Sequence, residues 1–477
     1  MSKPRISFLS EDEINAIHNA SLGVLENTGI KVMSNKALDI LKKAGAKVDY
    51  GGNHATIPAN LVKEALRRTP KTIKYCARNP KYDFVLNKQE PHFCADGGSP
   101  FILDWETGKR RYSTNEDNAQ CSVIADYLDH VHLLWPMGGD MGIPDAIGDI
   151  VGLYTCLKNS EKHLEGDASS VREAQYEIEI ASAIVGGSEE LKKRPIFSVV
   201  ACTIAPLRYD KGITEASIEF GKAGIPVVIY PMPVAGTTGP VTLPGTMAVS
   251  NAEFLGSLVI LEFANPGAPV VYAADVGTVD FKIGTAIISP ESSLMNLGLA
   301  QLARYYDLPN ETEASCSLSK LPDGQNGYEK SIALIPHILT TPDIILGLGA
   351  LEGARITSPE ALVIDNEIID YALRFVQGFE VNDDTLAMDI IHKVGPGGIF
   401  LGEKHTLEHF RERWMSRLSN IDSFETWQKK GSKSIYEAAK EKVKEILATH
   451  KPEPIPEDVD REISRILKRA ETDISLL

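Results

Sequence analysis

Apolar positions change their period along the chain, and the changes mark out its parts. From about residue 92, short apolar runs of strand length alternate with longer amphipathic stretches. The runs lie at 92–95, 132–136, 163–165, 196–202, 226–230, 269–274, 310–316 and 344–349. Helix-like stretches follow at 114–128, 145–158, 171–185, 209–223, 241–263, 289–306, 325–339 and 358–376. Runs such as PVVIY (226–230) and PVVYAA (269–274) are continuously apolar, as strands are when helices cover both faces of a parallel sheet. Eight such repeats over roughly 280 residues are the count and length of a (β/α)8 barrel. A doubly wound sheet is the competitor, but eight parallel repeats close more naturally than they stay open. The fold class expected is α/β, a (β/α)8 barrel with helical N- and C-terminal additions.

The flanks follow other patterns. Ser10 and Glu13 form a capping box, Ile14, Ile17, Leu22 and Leu25 recur at near-helical spacing, and Gly29 is a natural stop. Short helices at 36–43 and 60–68 and a hairpin over 72–85 complete a cap spanning 1–88, ahead of a barrel over 89–378. The extension, 379–477, reads as mainly helical. Ile435, Val443, Ile446 and Leu447 suit one apolar face, and Val459, Ile463, Ile466 and Leu467 another, with the stiff linker KPEPIPED (451–458) between. These faces need a barrel wall, a second subunit or a partner to pack on.

Composition narrows the function. With 49 Lys+Arg against 65 Asp+Glu the net charge is −16, which speaks against general binding of nucleic acid or anionic membranes. No run reaches the roughly 18 apolar residues of a membrane span, and the start lacks the apolar core of a secretory signal. Six scattered cysteines without a C-x-x-C pair suggest reduced thiols in the cytoplasm and no structural zinc.

Chemistry in such a barrel sits on the loops after the strands. Those loops read ADGGSP (95–100), WPMGGDMG (135–142), EGDASS (165–170), CTIAP (202–206), YPMPVAGTTGP (230–240), DVGT (275–278), SCSLSKLPDGQ (315–325) and GALEGAR (349–355). They are poor in histidine at ligand spacing. His130 and His132 fall at the wrong end of their strand, Glu408 and His409 lack the H-E-x-x-H spacing, and no metal site is expected. No nucleophile elbow, Walker loop or G-x-G-x-x-G is present. Ser99 and Thr203 lack a paired histidine and suit turn or packing roles. What remains is a cup: Trp135 and Tyr230 offer π-faces, and Asp96, Asp167, Asp275 and Glu352 offer negative charge. Such a cup suits a quaternary ammonium cation, held by cation–π and Coulomb attraction. The competing reading of each residue is a rim side chain that serves the fold.

Three segments carry a resemblance that covers nearly the whole chain. KLPDGQNGYEK (320–330), GLGALEGARITSPEALVIDNEI (347–368) and VGPGGIFLGEKHTLEHFRERW (394–414) resemble the trimethylamine methyltransferase family, and more closely its non-pyrrolysine members that demethylate quaternary amines such as glycine betaine. The resemblance implies a (β/α)8 barrel that passes an N-methyl group to the Co(I) centre of a cognate corrinoid protein docked over the mouth, with the cobalamin-type cofactor carried by that partner. The pyrrolysine of the founding trimethylamine enzymes, expected near 315–325, is absent, since every position is a standard residue. This points to glycine betaine, giving dimethylglycine. Proline betaine, carnitine and γ-butyrobetaine are alternatives within the chemistry. A silent betaine-binding or scaffold subunit and a metal-dependent barrel hydrolase are alternatives outside it. The reaction needs positioning and partial desolvation of the cation, with no acid–base residue assigned. Aromatic walls are expected near the reactive nitrogen, with few carboxylates touching it, because strong contacts to the ground-state charge slow transfer. A betaine carboxylate needs an anchor: Lys320, Arg355, Arg208, His405 or backbone amides. A homo-oligomer fits the helical tail.

Overall fold

The computed structural model describes residues 5–474. Eight parallel strands close into a barrel: β1 (His92–Ala95), β2 (Leu133–Leu134), β3 (His163–Asp167), β4 (Phe197–Cys202), β5 (Val227–Tyr230), β6 (Val270–Ala274), β7 (Asn310–Glu313) and β8 (Ile344–Leu348). They pair in sequence order, and β8 returns to β1. A helix follows each strand: α1 (Asn115–Tyr127), α2 (Asp145–Asn159), α3 (Val171–Val185), α4 (Lys211–Ala223), α5 (Leu243–Ala264), α6 (Pro290–Tyr305), α7 (Gly324–Thr340) and α8 (Pro359–Gln377). Helix α5 is long and apolar enough to cross a membrane, but 78% of its apolar window is buried; it is a core helix of the barrel wall.

Strand alternation sorts the two faces. Phe93, Val199, Val227, Ile229, Val270 and Tyr272 belong to the large apolar cluster between strands and helices. Their neighbours Cys94, Val200, Val228, Tyr230, Val271 and Ala273 form a second cluster inside the barrel, as a two-residue side-chain period requires. Two strands end at least two residues short of the sequence expectation. Strand β2 is only two residues long, because Pro136 has no N–H to continue the ladder. Strand β7 stops at Glu313 rather than 316, where the Cys316 amide turns back to donate to Glu313 Oε1 at 2.6 Å.

The N-terminal hairpin (Ile73–Tyr75 with Phe84–Leu86) plugs the bottom of the barrel. Ile73, Tyr75 and Leu86 join the interior cluster, Tyr75 stacks on His163 with ring centroids 4.1 Å apart, and Phe84 stacks on His92 at 4.2 Å. At the other end of the chain, α9 (Ile435–Thr449) and α10 (Glu457–Ile474) pack on the barrel's own helices. Val443, Ile446, Ile463 and Ile466 are buried there, and Lys158 pairs with Asp460 at 3.0 Å. Of the three surfaces that could cover these faces, the barrel wall does so; Ile435 stays exposed.

Candidate active site

The mouth opens on a cavity of about 600 Å³. Asp96, Trp135, Tyr230, Asp275, Lys320, Glu352 and Arg355 all line it. Strand parity explains the deep members. Asp96, Trp135 and Asp275 each stand two residues beyond an inward-facing side chain (Cys94, Leu133, Ala273), and Tyr230 belongs to the inward set itself. They form the uppermost layer of the interior.

Trp135 is placed from two sides. Its Nε1 donates to Asp167 Oδ2 at 2.5 Å, and its ring lies over Gly97, where a Cβ would fall 2.3 Å from Trp135 Cγ. Only glycine leaves room for the indole. Tyr230 is 3% exposed, and its hydroxyl is buried without a hydrogen-bond partner among the described residues. The phenol is pushed well above its ordinary range by burial and then by Asp275, Glu311, Glu313 and Asp96, so it remains protonated.

The floor is acidic. Burial, with the nearby Asp275 charge, raises the Asp96 carboxyl to about 7, against the pull of the Gly97 amide and of Lys330. Asp275 is raised to about 6 by burial. Glu313 is raised further by burial and by Asp275. One layer down, Glu311 faces Glu165: burial lifts both, Glu165 to about 7, and the Glu165 charge adds to the rise at Glu311. Neither carboxyl oxygen of Glu311 has a hydrogen-bond partner among the described residues. At neutral pH the floor therefore carries only part of its formal charge, and burial biases Glu313 toward its neutral form. The sequence reading missed Glu165, Glu311 and Glu313. The signal was the run NETE (310–313), two carboxylates at strand period in a fully buried strand. Three carboxyls, Asp96, Asp275 and Glu313, line the cavity together.

The cations stay at the rim. Lys320 Nζ reaches the Leu318 carbonyl at 2.8 Å and is exposed. Arg355 lines the cavity beside Glu352, whose Oε2 is 3.7 Å from Arg110. Two proposed anchors are elsewhere. Arg208 is exposed on a strand paired with the N-terminal residue Lys31, because the chain has left the mouth by that point. His405 lies on the short helix Lys404–His409 of the extension, against the Asp384 carbonyl at 3.1 Å, and does not line the cavity. Asp167 serves Trp135 from the next pocket. His130 pairs with Asp370, and half-buried His132 accepts from the Phe93 amide, so the two do not converge. Ser99 donates to the Ala354 carbonyl and Thr203 to Glu253, both as structural ties. Cys202 and Cys316 also line the cup, but burial drives their thiols upward, Cys202 to about 12, so neither is a thiolate nucleophile.

The mouth is roofed on one side by a hairpin after β6 (Gly277–Asp280 with Thr285–Ile287), which pairs with Val234–Ala235 after β5. Met232, Phe281 and Ile283 are exposed there, and Leu321 is exposed on the loop after β7.

A family model for trimethylamine methyltransferase matches residues 1–475. The chain belongs to the trimethylamine methyltransferase family. It is 33% identical over 465 residues to the trimethylamine methyltransferase MttB of Desulfitobacterium hafniense strain DSM 10664 / DCB-2, covering 97% of this chain and 94% of the relative. It is 32% identical over 471 residues to the glycine betaine methyltransferase of strain Y51 of that species, covering 97% of each. A trimethylamine methyltransferase of Methanosarcina barkeri is 32% identical over 472 residues, covering 98% of this chain and 95% of that one. Among solved structures, the Methanosarcina barkeri monomethylamine methyltransferase superposes with a TM-score of 0.50 at 12% identity, covering 91% of this chain and 92% of that chain. That likeness concerns the fold. Membership makes this barrel a methyltransferase.

Proposed function

We propose that the protein moves a methyl group from a small quaternary amine, with glycine betaine as the leading substrate, to the Co(I) of a corrinoid protein, leaving dimethylglycine. One observation carries the reading: a buried cup with two aromatic faces, Trp135 and Tyr230, stands over the carboxyls Asp96, Asp275 and Glu313, with the cavity-lining cations Lys320 and Arg355 held apart at the rim. A trimethylammonium group fits the cup, and a betaine carboxylate fits the rim. A glycine betaine methyltransferase stands among the relatives at 32% identity, beside trimethylamine methyltransferases at 32–33%, and supports a methylated-amine substrate. The standard sequence of the 315–325 loop, where Cys316 and Leu318 line the cavity, supports the quaternary class.

The partner's corrinoid would supply the nucleophile that takes the methyl cation equivalent, becoming methyl-Co(III). The N–C bond breaks with its electron pair left on nitrogen, so the amine departs neutral and no proton is moved. This chain's residues therefore position and desolvate. Raised carboxyls soften the conflict between binding and catalysis. A fully ionised floor would hold the ground-state cation too strongly, whereas burial biases Glu313 toward its neutral form and leaves Asp96 only partly ionised at neutral pH. The exposed Met232, Phe281, Ile283 and Leu321 give the mouth an apolar edge for a docked partner.

The cavity of about 600 Å³ sits mid-range for ligand sites and exceeds the needs of glycine betaine. That volume favours carnitine, γ-butyrobetaine or proline betaine as a second reading. The test mixes the protein with reduced corrinoid protein and a panel of betaines and follows the absorbance change on cobalt methylation. Turnover with glycine betaine is expected. Silence across the panel overturns the reading, and calorimetric binding without transfer would mark a non-catalytic betaine-binding subunit.

A further inference from the structure

Residues 379–433 are built differently from the rest of the chain. The short helices Asp383–Leu386, Met388–Val394, Lys404–His409 and Phe424–Lys429 bury no residue. Phe379, Ile399, Leu401 and Leu407 are exposed, and no cysteine falls in the segment. A unit with so little core commonly needs a covalent or metal staple.

A set of ligands is present. Asp384, His405 and His409 each place one donor atom within 4.8 Å of the others. His405 and His409 stand four residues apart on one helix, hence on one face, with ring centroids 4.3 Å apart. Asp384 arrives from a separate turn: its Oδ2 is 3.4 Å from His409 Nε2, and its carbonyl is 3.1 Å from His405 Nε2. His409 Nδ1 faces Glu412 Oε1 at 2.6 Å. With an ion bound, that carboxylate would hold the proton on Nδ1 and free Nε2 to ligate, the arrangement that orients metal-bound histidines.

We propose that Asp384, His405 and His409 bind a divalent transition ion of the zinc class, which clips the 383–386 turn to the Lys404–His409 helix, with Glu412 orienting His409. Imidazole and carboxylate donors suit zinc, with a further position for water or another donor. The site is independent of the methyl-transfer cavity, which none of these residues lines.

The test uses the full chain, freed of any histidine tag, equilibrated with zinc and dialysed. Elemental analysis is expected to find one zinc per chain, and none in the His405→Gln/His409→Gln variant. Glu412→Gln is expected to bind zinc about 10- to 100-fold more weakly. Cobalt(II) substitution should give visible d–d bands, and chelation should speed protease cleavage within 379–433 while the barrel stays intact. Wild-type protein that retains no zinc, or the double variant retaining as much as wild type with an unchanged circular dichroism spectrum, overturns the proposal and leaves an ordinary ion-pair cluster.

Discussion

Gly97→Ala isolates the placement of Trp135. The new Cβ would lie 2.3 Å from Trp135 Cγ, 2.6 Å from Cδ2 and 2.7 Å from Cβ, against an ordinary carbon contact of about 3.5–4.0 Å. The clash involves atoms next to the Trp135 backbone, so rotating the far end of the indole does not relieve it. Either the ring swings away or β1 and the segment after β2 part. Overpacking of this kind costs about 1–3 kcal/mol. Losing the Nε1 bond to Asp167, a carboxyl whose pKa burial raises, adds about 0.5–1.5 kcal/mol. The displaced π-face removes a further ~0.5–2 kcal/mol of cation binding, which is roughly 2- to 30-fold in Kd. Gly139→Ala is the control, since its Cβ would meet nothing within 4 Å. Thermal unfolding measures the first two losses and calorimetry with glycine betaine the third. If Gly97→Ala matches Gly139→Ala in both, the contact does not hold the indole and the cup argument loses its anchor.

Trp135→Ala or Tyr230→Ala is expected to weaken betaine turnover by about 0.5–2 kcal/mol or more; unchanged kinetics in both sinks the aromatic cup. Asp96 and Asp275 have folded pKa values raised to about 7 and about 6, so their contribution to stability is full below about pH 4 and is lost as pH rises through 6–7. A bound cation reverses that preference: betaine affinity should rise over the same window with proton release, and equal heats in buffers of different ionisation enthalpy would refute this. Lys330→Met should cost about 3–5 kcal/mol, because it strands Asp365, its partner at 2.5 Å, at 1% exposure. Adding Asp365→Leu should recover part of the loss in a denaturant titration.

The barrel was legible because its strands are buried on both faces and read as unbroken apolar runs. The cup was legible where a strand ended in a conspicuous residue, as at Asp96, Trp135, Tyr230 and Asp275. Glu311 and Glu313 were hidden by their chemistry: two carboxylates look like the polar end of a strand, and only barrel closure, with β7 between β6 and β8, turns them inward. His405 was misplaced for another reason. Nothing local tells where residues 379–433 settle, so proximity within a family motif stood in for proximity in space. The i,i+4 pair of His405 and His409 was visible all along, but its third donor lies 21 residues upstream on a separate turn.

The hairpin beneath the barrel turns the interior into a vessel stoppered at its base. Tyr75 and Phe84, stacked on His163 and His92, fill the lower end, so the direct way out for a proton shed by Glu165 or by the floor is the opening that would admit the amine and that a docked partner would cover. Proton balance inside must then be reached before the neck is sealed. The bottom of the fold thereby sets the sequence of events at the top.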